Sequence, residues 1–81
     1  MAAKAYILIE ATIGRSRDVA RAIQALRPAV AESYLITGPY DVVAIIAGKD
    51  ADTISASVTE LIHSIPGIAR TVTCLAIPSG S

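Results

Sequence analysis

The chain alternates short apolar runs with amphipathic stretches, and glycine and proline mark most of the joints. Ala5 to Thr12, rich in Ile and Leu, predicts a first strand that Gly14 breaks. Ser16 is placed as an N-cap and Asp18 falls in the first turn of the helix that follows. Val19, Ile23 and Leu26 recur at helical spacing, Arg17, Arg21, Gln24 and Arg27 take the wet side, and Pro28 ends the helix. Glu32 to Thr37 predicts a second strand, Gly38-Pro39-Tyr40 a tight connection, and Asp41 to Ala47 a third strand. After Gly48-Lys49-Asp50, either Asp50 or Asp52 can cap a second helix with the buried stripe Ile54, Val58, Leu61, Ile62 and Ile65. Pro66-Gly67 stops it, and Ile68 to Ile77 predicts the last strand. Pro78-Ser79-Gly80-Ser81 reads as a loose tail.

The order β-α-β-β-α-β defines an α+β fold of the split βαβ, ferredoxin-like kind: a four-stranded antiparallel sheet with two helices on one face. One domain spans residues 1–81, with a core of about 3–78, no linker and no low-complexity stretch. Alternation assigns Ala5, Ile7, Ile9 and Ala11 to the helix-covered face, and Tyr6 and Leu8 to the other. Val42, Ala44 and Ile46 likewise separate from Val43 and Ile45. Both faces are therefore largely apolar, yet a two-layer domain needs only one such face. The spare face predicts a two-fold, sheet-to-sheet dimer; the alternative is a semi-apolar wet face.

Composition sharpens that expectation. The chain has 81 residues, 53% of them hydrophobic and only 17% charged, which excludes disorder and a second domain. Seven basic residues balance seven acidic ones, so the net charge of zero argues against a nucleic-acid or anionic-membrane surface. The single cysteine, Cys74, excludes an intrachain disulfide framework and an all-cysteine metal site, and points to a cytoplasmic setting. The start of the chain lacks a signal-peptide pattern, and no apolar run is long enough for a membrane span.

Several functions that use this topology lack their residues. The first loop, Thr12-Ile13-Gly14-Arg15-Ser16, has no thiolate pair for carrying a metal, and an iron–sulfur centre needs four cysteines. Base stacking needs aromatic residues on the central strands; the chain has no Phe or Trp, and Tyr6, Tyr34 and Tyr40 form no platform with basic neighbours. An acylphosphatase-like site needs an asparagine, and the chain has none. His63 lies near the end of the second helix, where a cation suits the helix dipole, and Cys74 reads as a small core residue. No cofactor, catalytic residue or metal ligand is expected.

What remains is Leu35-Ile36-Thr37-Gly38-Pro39-Tyr40-Asp41, a polar turn between two apolar strands. Asp41 can cap the loop or stand as a fixed anion facing a ligand's ammonium group. Thr71 and Thr73 share a face of the last strand, as ordinary β-branched residues or as hydroxyls for a small polar ligand.

These segments resemble a known family. Tyr34-Leu35-Ile36-Thr37-Gly38-Pro39-Tyr40-Asp41-Val42-Val43 is similar to the signature of the effector-binding (RAM) domain of the leucine-responsive/AsnC transcription regulators. Ile65-Pro66-Gly67-Ile68 with Arg70-Thr71-Val72-Thr73 is similar to the family's second segment. The resemblance implies a non-enzymatic, amino-acid-sensing module that forms sheet-to-sheet dimers (a dimeric α+β barrel). It also implies higher rings such as an octamer or decamer, with an amino-acid effector bound between dimers. The implied ligand-binding residues are Leu35, Gly38, Tyr40, Asp41, Ala51, His63, Thr71, Thr73, Cys74 and Leu75. Asp41 would pair with the α-ammonium, backbone N–H groups and threonine hydroxyls would take the carboxylate, and Ala51 and Leu75 would shape the side-chain pocket. Full regulators of this family carry an N-terminal helix-turn-helix domain, for which the chain has no residues. The expectation is therefore a stand-alone form that makes no direct contact with nucleic acid or membrane and can co-assemble with full-length regulators. The alternatives are a structural adaptor that binds nothing small, and a small enzyme of the dimeric α+β barrel kind.

Overall fold

In the computed structural model, which describes residues 3–77, the sequence order becomes β1 (Ala3–Ala11), α1 (Ser16–Gln24), β2 (Glu32–Leu35), β3 (Val42–Gly48), α2 (Ala51–Ser57) and β4 (Ile68–Leu75). A π-helical turn, Val58–Ile62, continues α2. The sheet order is β2-β3-β1-β4, with every neighbouring pair antiparallel. The expected loose tail, Pro78 to Ser81, lies outside the described residues. No described helix is long and apolar enough to cross a membrane.

The core follows from the strand alternation. Ala5, Ile7 and Ile9 of β1 and Val42, Ala44 and Ile46 of β3 are buried beneath Val19 and Ile23 of α1, Ile54 of α2, and Val58 and Ile62 of the π turn. Val30, between α1 and β2, closes the same layer. Each fully buried Ile or Val contributes on the order of 1.5–3 kcal/mol of transfer free energy, an upper figure because unfolded chains already bury some surface. The core therefore rests on small and β-branched aliphatics, with no aromatic residue in it.

The helical layer covers β1 and β3 but not the sheet edges. Leu35 on β2 and Leu75 on β4 remain 51% and 48% exposed although their strand partners, Val42 and Ala5, are fully buried. The opposite sheet face carries Tyr6, Leu8, Val43, Ile45 and Val72, with Tyr34 at one edge and Cys74 at the other, and no described element covers it.

Local boundaries differ from expectation for identifiable reasons. Ser16 is the first helical residue rather than the N-cap; that position falls to Arg15, whose N–H bonds to the Thr12 carbonyl at 3.0 Å and whose side chain pairs with Asp18 at 3.1 Å. Helix α1 stops at Gln24, ahead of Leu26, because Pro28 disfavours helical geometry before it. The chain tightens there into i→i−3 bonds, Leu26 N–H to Ile23 O at 3.0 Å and Arg27 N–H to Gln24 O at 3.3 Å, and Leu26 still packs on the core. Asp50, not Asp52, caps α2, accepting the Thr53 N–H at 2.8 Å. Strand β2 ends at Leu35, not Thr37, and β3 begins at Val42, not Asp41, because Ile36 and Asp41 close the loop on each other with a 2.8 Å bond. Strand β4 ends at Leu75; Ala76 adds one further bond, to Lys4 O at 2.8 Å. The Pro66-Gly67 stop holds: Gly67 has φ +94, and a Cβ there would lie 3.3 Å from both Arg15 and Val19, so the backbone conformation and the close approach both call for glycine.

Candidate functional site

The first group of expected site residues is the loop between β2 and β3. Asp41 donates its N–H to Ile9 O at 2.9 Å, and its Oδ2 accepts the Ala11 N–H at 2.8 Å. The β1–β3 ladder ends at the Ile9–Val42 pair, so the carboxylate satisfies a donor on that side of β1 that lies beyond the last ladder partner. Gly38, at φ +120 with open space around its Cα, is there for backbone conformation and not for close packing. Tyr40 turns toward the edge of the sheet, where its hydroxyl accepts a bond from Arg70 Nη2 at 3.3 Å. Leu35 ends β2 at the root of this loop.

The second group lies along the uncovered helix-side row of β4. Thr71, Thr73 and Leu75 pair with Ile9, Ile7 and Ala5, so all three face the helices. The π turn explains what stands beside them. His63 N–H bonds to Val58 O at 3.2 Å, an i→i−5 contact, and the wider turn buries Ile62 fully while leaving Leu61 only half-buried. His63 follows directly, with Nε2 3.3 Å from the Thr71 hydroxyl oxygen. Ala51 opens α2 at the far end of this row, since α2 starts just after Gly48, the partner of Ala3, and Leu75 pairs with Ala5.

Cys74 does not join this group. It pairs with Tyr6 and stands exposed on the helix-free face, opposite to Thr73 and Leu75. Strand alternation makes this unavoidable, and it also corrects the expectation of a core cysteine. Two basic neighbours of the tyrosines also depart from expectation: Lys4 lies over the Tyr6 ring and Arg70 over the Tyr40 ring, each about 5.5 Å from the centroid. Arg70 is legible in the sequence only as part of the Arg-Thr-x-Thr segment; its pairing with Glu10 and its reach to Tyr40 depend on strand register.

Chemically, the loop offers one carboxylate with Oδ2 already engaged. The β4 row grades from imidazole and hydroxyls at His63, Thr71 and Thr73 to apolar surface at Leu75. The described residues enclose no cavity and bring no three potential metal ligands together.

Residues 4–79 match the Lrp/AsnC ligand binding domain. The chain belongs to this family, and is an effector-binding module of the kind found in its regulators. The fold closely matches TTHA0845 from Thermus thermophilus, at 40% identity over 95% of each chain and a TM-score of 0.85. It also matches FFRP-DM1, at 31% identity over 93% of this chain and 99% of that one, with a TM-score of 0.82. The transcriptional regulator NMB0573 from Neisseria meningitidis, solved as a complex with L-Met, shares the fold at 18% identity and a TM-score of 0.80. The chain covers 52% of that regulator, about half its length. No curated protein sequence matches the chain.

Proposed function

We propose that this domain senses a free amino acid, without catalysing a reaction, in a site completed between copies of the chain. The observation that carries the reading is the division of the expected ligand residues within one chain. The carboxylate loop, Gly38 to Asp41, sits at the end of β1 and reaches Arg70 toward the helix-free side of the sheet. The hydroxyl row, Thr71 and Thr73 with His63, opens toward the helical side. The loop of one copy set against the β4 row of another unites an anion for the ammonium with donors for the carboxylate. Ala51 and Leu75 then line the side-chain end. The L-Met complex of the meningococcal regulator supports an amino acid as the ligand class.

Assembly follows from the helix-free face. Leu8, Val43, Ile45 and Val72 form an apolar centre flanked by Tyr6 and Tyr34, and Lys4, Glu10, Glu32 and Arg70 lie around it. An apolar centre inside a polar rim is the anatomy of a protein interface. A two-fold pair of sheets buries that centre, and closed rings of such dimers bring loops and β4 rows together. Co-assembly with full-length regulators of the family would use the same surfaces. A cytoplasmic setting agrees with a free thiol at Cys74.

The test is a thermal-shift screen against the standard amino acids. A ligand bound only by the folded state raises the midpoint in a concentration-dependent way. One or a few amino acids are expected to do so. A flat response to all of them contradicts the sensor and leaves the adaptor that binds nothing small.

A further inference from the structure

We infer that Arg70 is a positioning residue for the candidate effector loop: its guanidinium, held by Glu10, clamps Tyr40 and thereby sets where Gly38 to Tyr40 stand relative to the sheet. The inference rests on the proposed function for the meaning of the loop, but not for the clamp itself. Three contacts converge on this one side chain. Nε lies 3.3 Å from Glu10 Oε1, directly across the β1–β4 pair. Nη2 donates to the Tyr40 hydroxyl at 3.3 Å. The guanidinium also lies over the Tyr40 ring, 5.5 Å from its centroid.

The loop needs such a clamp because its own bonds hold only its root. Ile36 N–H to Asp41 O, Asp41 N–H to Ile9 O and Ala11 N–H to Asp41 Oδ2 tie the two ends of the loop together and to β1. Thr37, Gly38 and Pro39 beyond them are exposed. Among the described residues of the loop, Asp41 reaches the sheet from the root and Tyr40 from beyond it, and Arg70 is what Tyr40 reaches. A planar guanidinium can bond a carboxylate along one edge, donate to a hydroxyl and cover a ring face together. A lysine ammonium is a compact charge and cannot do all three. The Arg70 and Glu10 side chains are 61% and 42% exposed, so the ion pair by itself contributes little. What it does is hold the guanidinium in register with Tyr40.

Amide hydrogen exchange without any ligand tests this on the assembled protein. Arg70→Met is expected to speed exchange at Ile36 and Asp41 by about three- to tenfold, the scale of losing a partly exposed cation–π contact and its hydrogen bond. The β1–β3 amides that exchange without opening the loop should stay as in wild type, and the melting midpoint should fall by no more than the few degrees that this loss implies. Tyr40→Leu should reproduce that pattern, while Tyr40→Phe, which keeps the ring face, should stay within about twofold of wild type. Arg70→Lys should recover less than half of the loss. Unchanged loop exchange in Arg70→Met, or exchange rising equally throughout the sheet, overturns the positioning role. Because no ligand is present, a loop that loosens in a chain that binds no amino acid upholds the clamp and refutes only the sensor.

Discussion

Replacing Asp41 separates its structural role from its proposed ligand role. The carboxylate Oδ2 accepts the Ala11 N–H at 2.8 Å at a half-buried position. Asp41→Ala strands that donor. A buried donor without a partner costs about 1–3 kcal/mol, and partial access to water places this one in the lower half, about 1–2 kcal/mol. For a domain of this size each kcal/mol moves the melting midpoint by roughly 4–8 °C, so a fall of about 4–16 °C is expected. Asp41→Asn retains a carbonyl oxygen for the same bond, and its loss should stay below about 1 kcal/mol. Affinity should behave in the opposite sense. With the fold intact, Asn removes the charge facing an ammonium, a loss of about 1.5–3 kcal/mol or roughly ten- to a hundredfold in Kd. Scanning calorimetry and titration of an amino acid found by screening read the two effects separately. If Asp41→Asn destabilises as much as Asp41→Ala, the strand-end geometry is wrong. If Asp41→Asn binds as tightly as wild type, Asp41 is a cap and nothing more.

Three further outcomes follow from the fold. Val43→Lys, at the centre of the helix-free face, should leave the fold intact and reduce the light-scattering mass to that of the 8.4 kDa chain; an unchanged assembly argues against that face as the interface. Ile7→Val, at a fully buried β1 position, should cost about 0.5–1.5 kcal/mol in denaturant melts, and no loss would mean that the strand alternation is misassigned. The Thr53 backbone N–H holds the Asp50 carboxyl below its ordinary range, so the cap's contribution is present above the unfolded aspartate pKa and fades as pH falls through the lower folded value. The stability gap between wild type and Asp50→Ala should accordingly close in acid, as melting midpoints taken across that range will show.

Much of this was legible in the sequence. Alternation in Ala5 to Ala11 and Val42 to Ile46 decides which residues meet the helices, because period two leaves no choice once one face is buried. Gly67 was readable as the stop, since it answers a local backbone need, and the cap of α2 was narrowed to Asp50 or Asp52, between which the Thr53 N–H bond decides. Boundaries set by competition were not. The Pro28 effect reaches back beyond Leu26, and the π turn at Val58–Ile62 leaves no clear mark in an apolar stripe that suits an α-helix almost as well. For the candidate site, the loop and the threonine row stood out as polar residues in apolar surroundings. Cys74 was misplaced, although the same alternation that placed Thr73 puts it on the opposite face. The Glu10–Arg70–Tyr40 cluster depends on strand register and a loop fold, neither of which local sequence encodes.

The proposed effector site is completed only between copies. Its most direct test is light scattering across a dilution series, with and without the standard amino acids at millimolar concentration. A ligand bound between copies must favour the assembled form, by the same linkage that makes it stabilise the fold. A mass of at least two chains at micromolar concentration is expected, with a shift toward larger closed assemblies in the presence of at least one amino acid. A mass that stays at 8.4 kDa under every condition would contradict it.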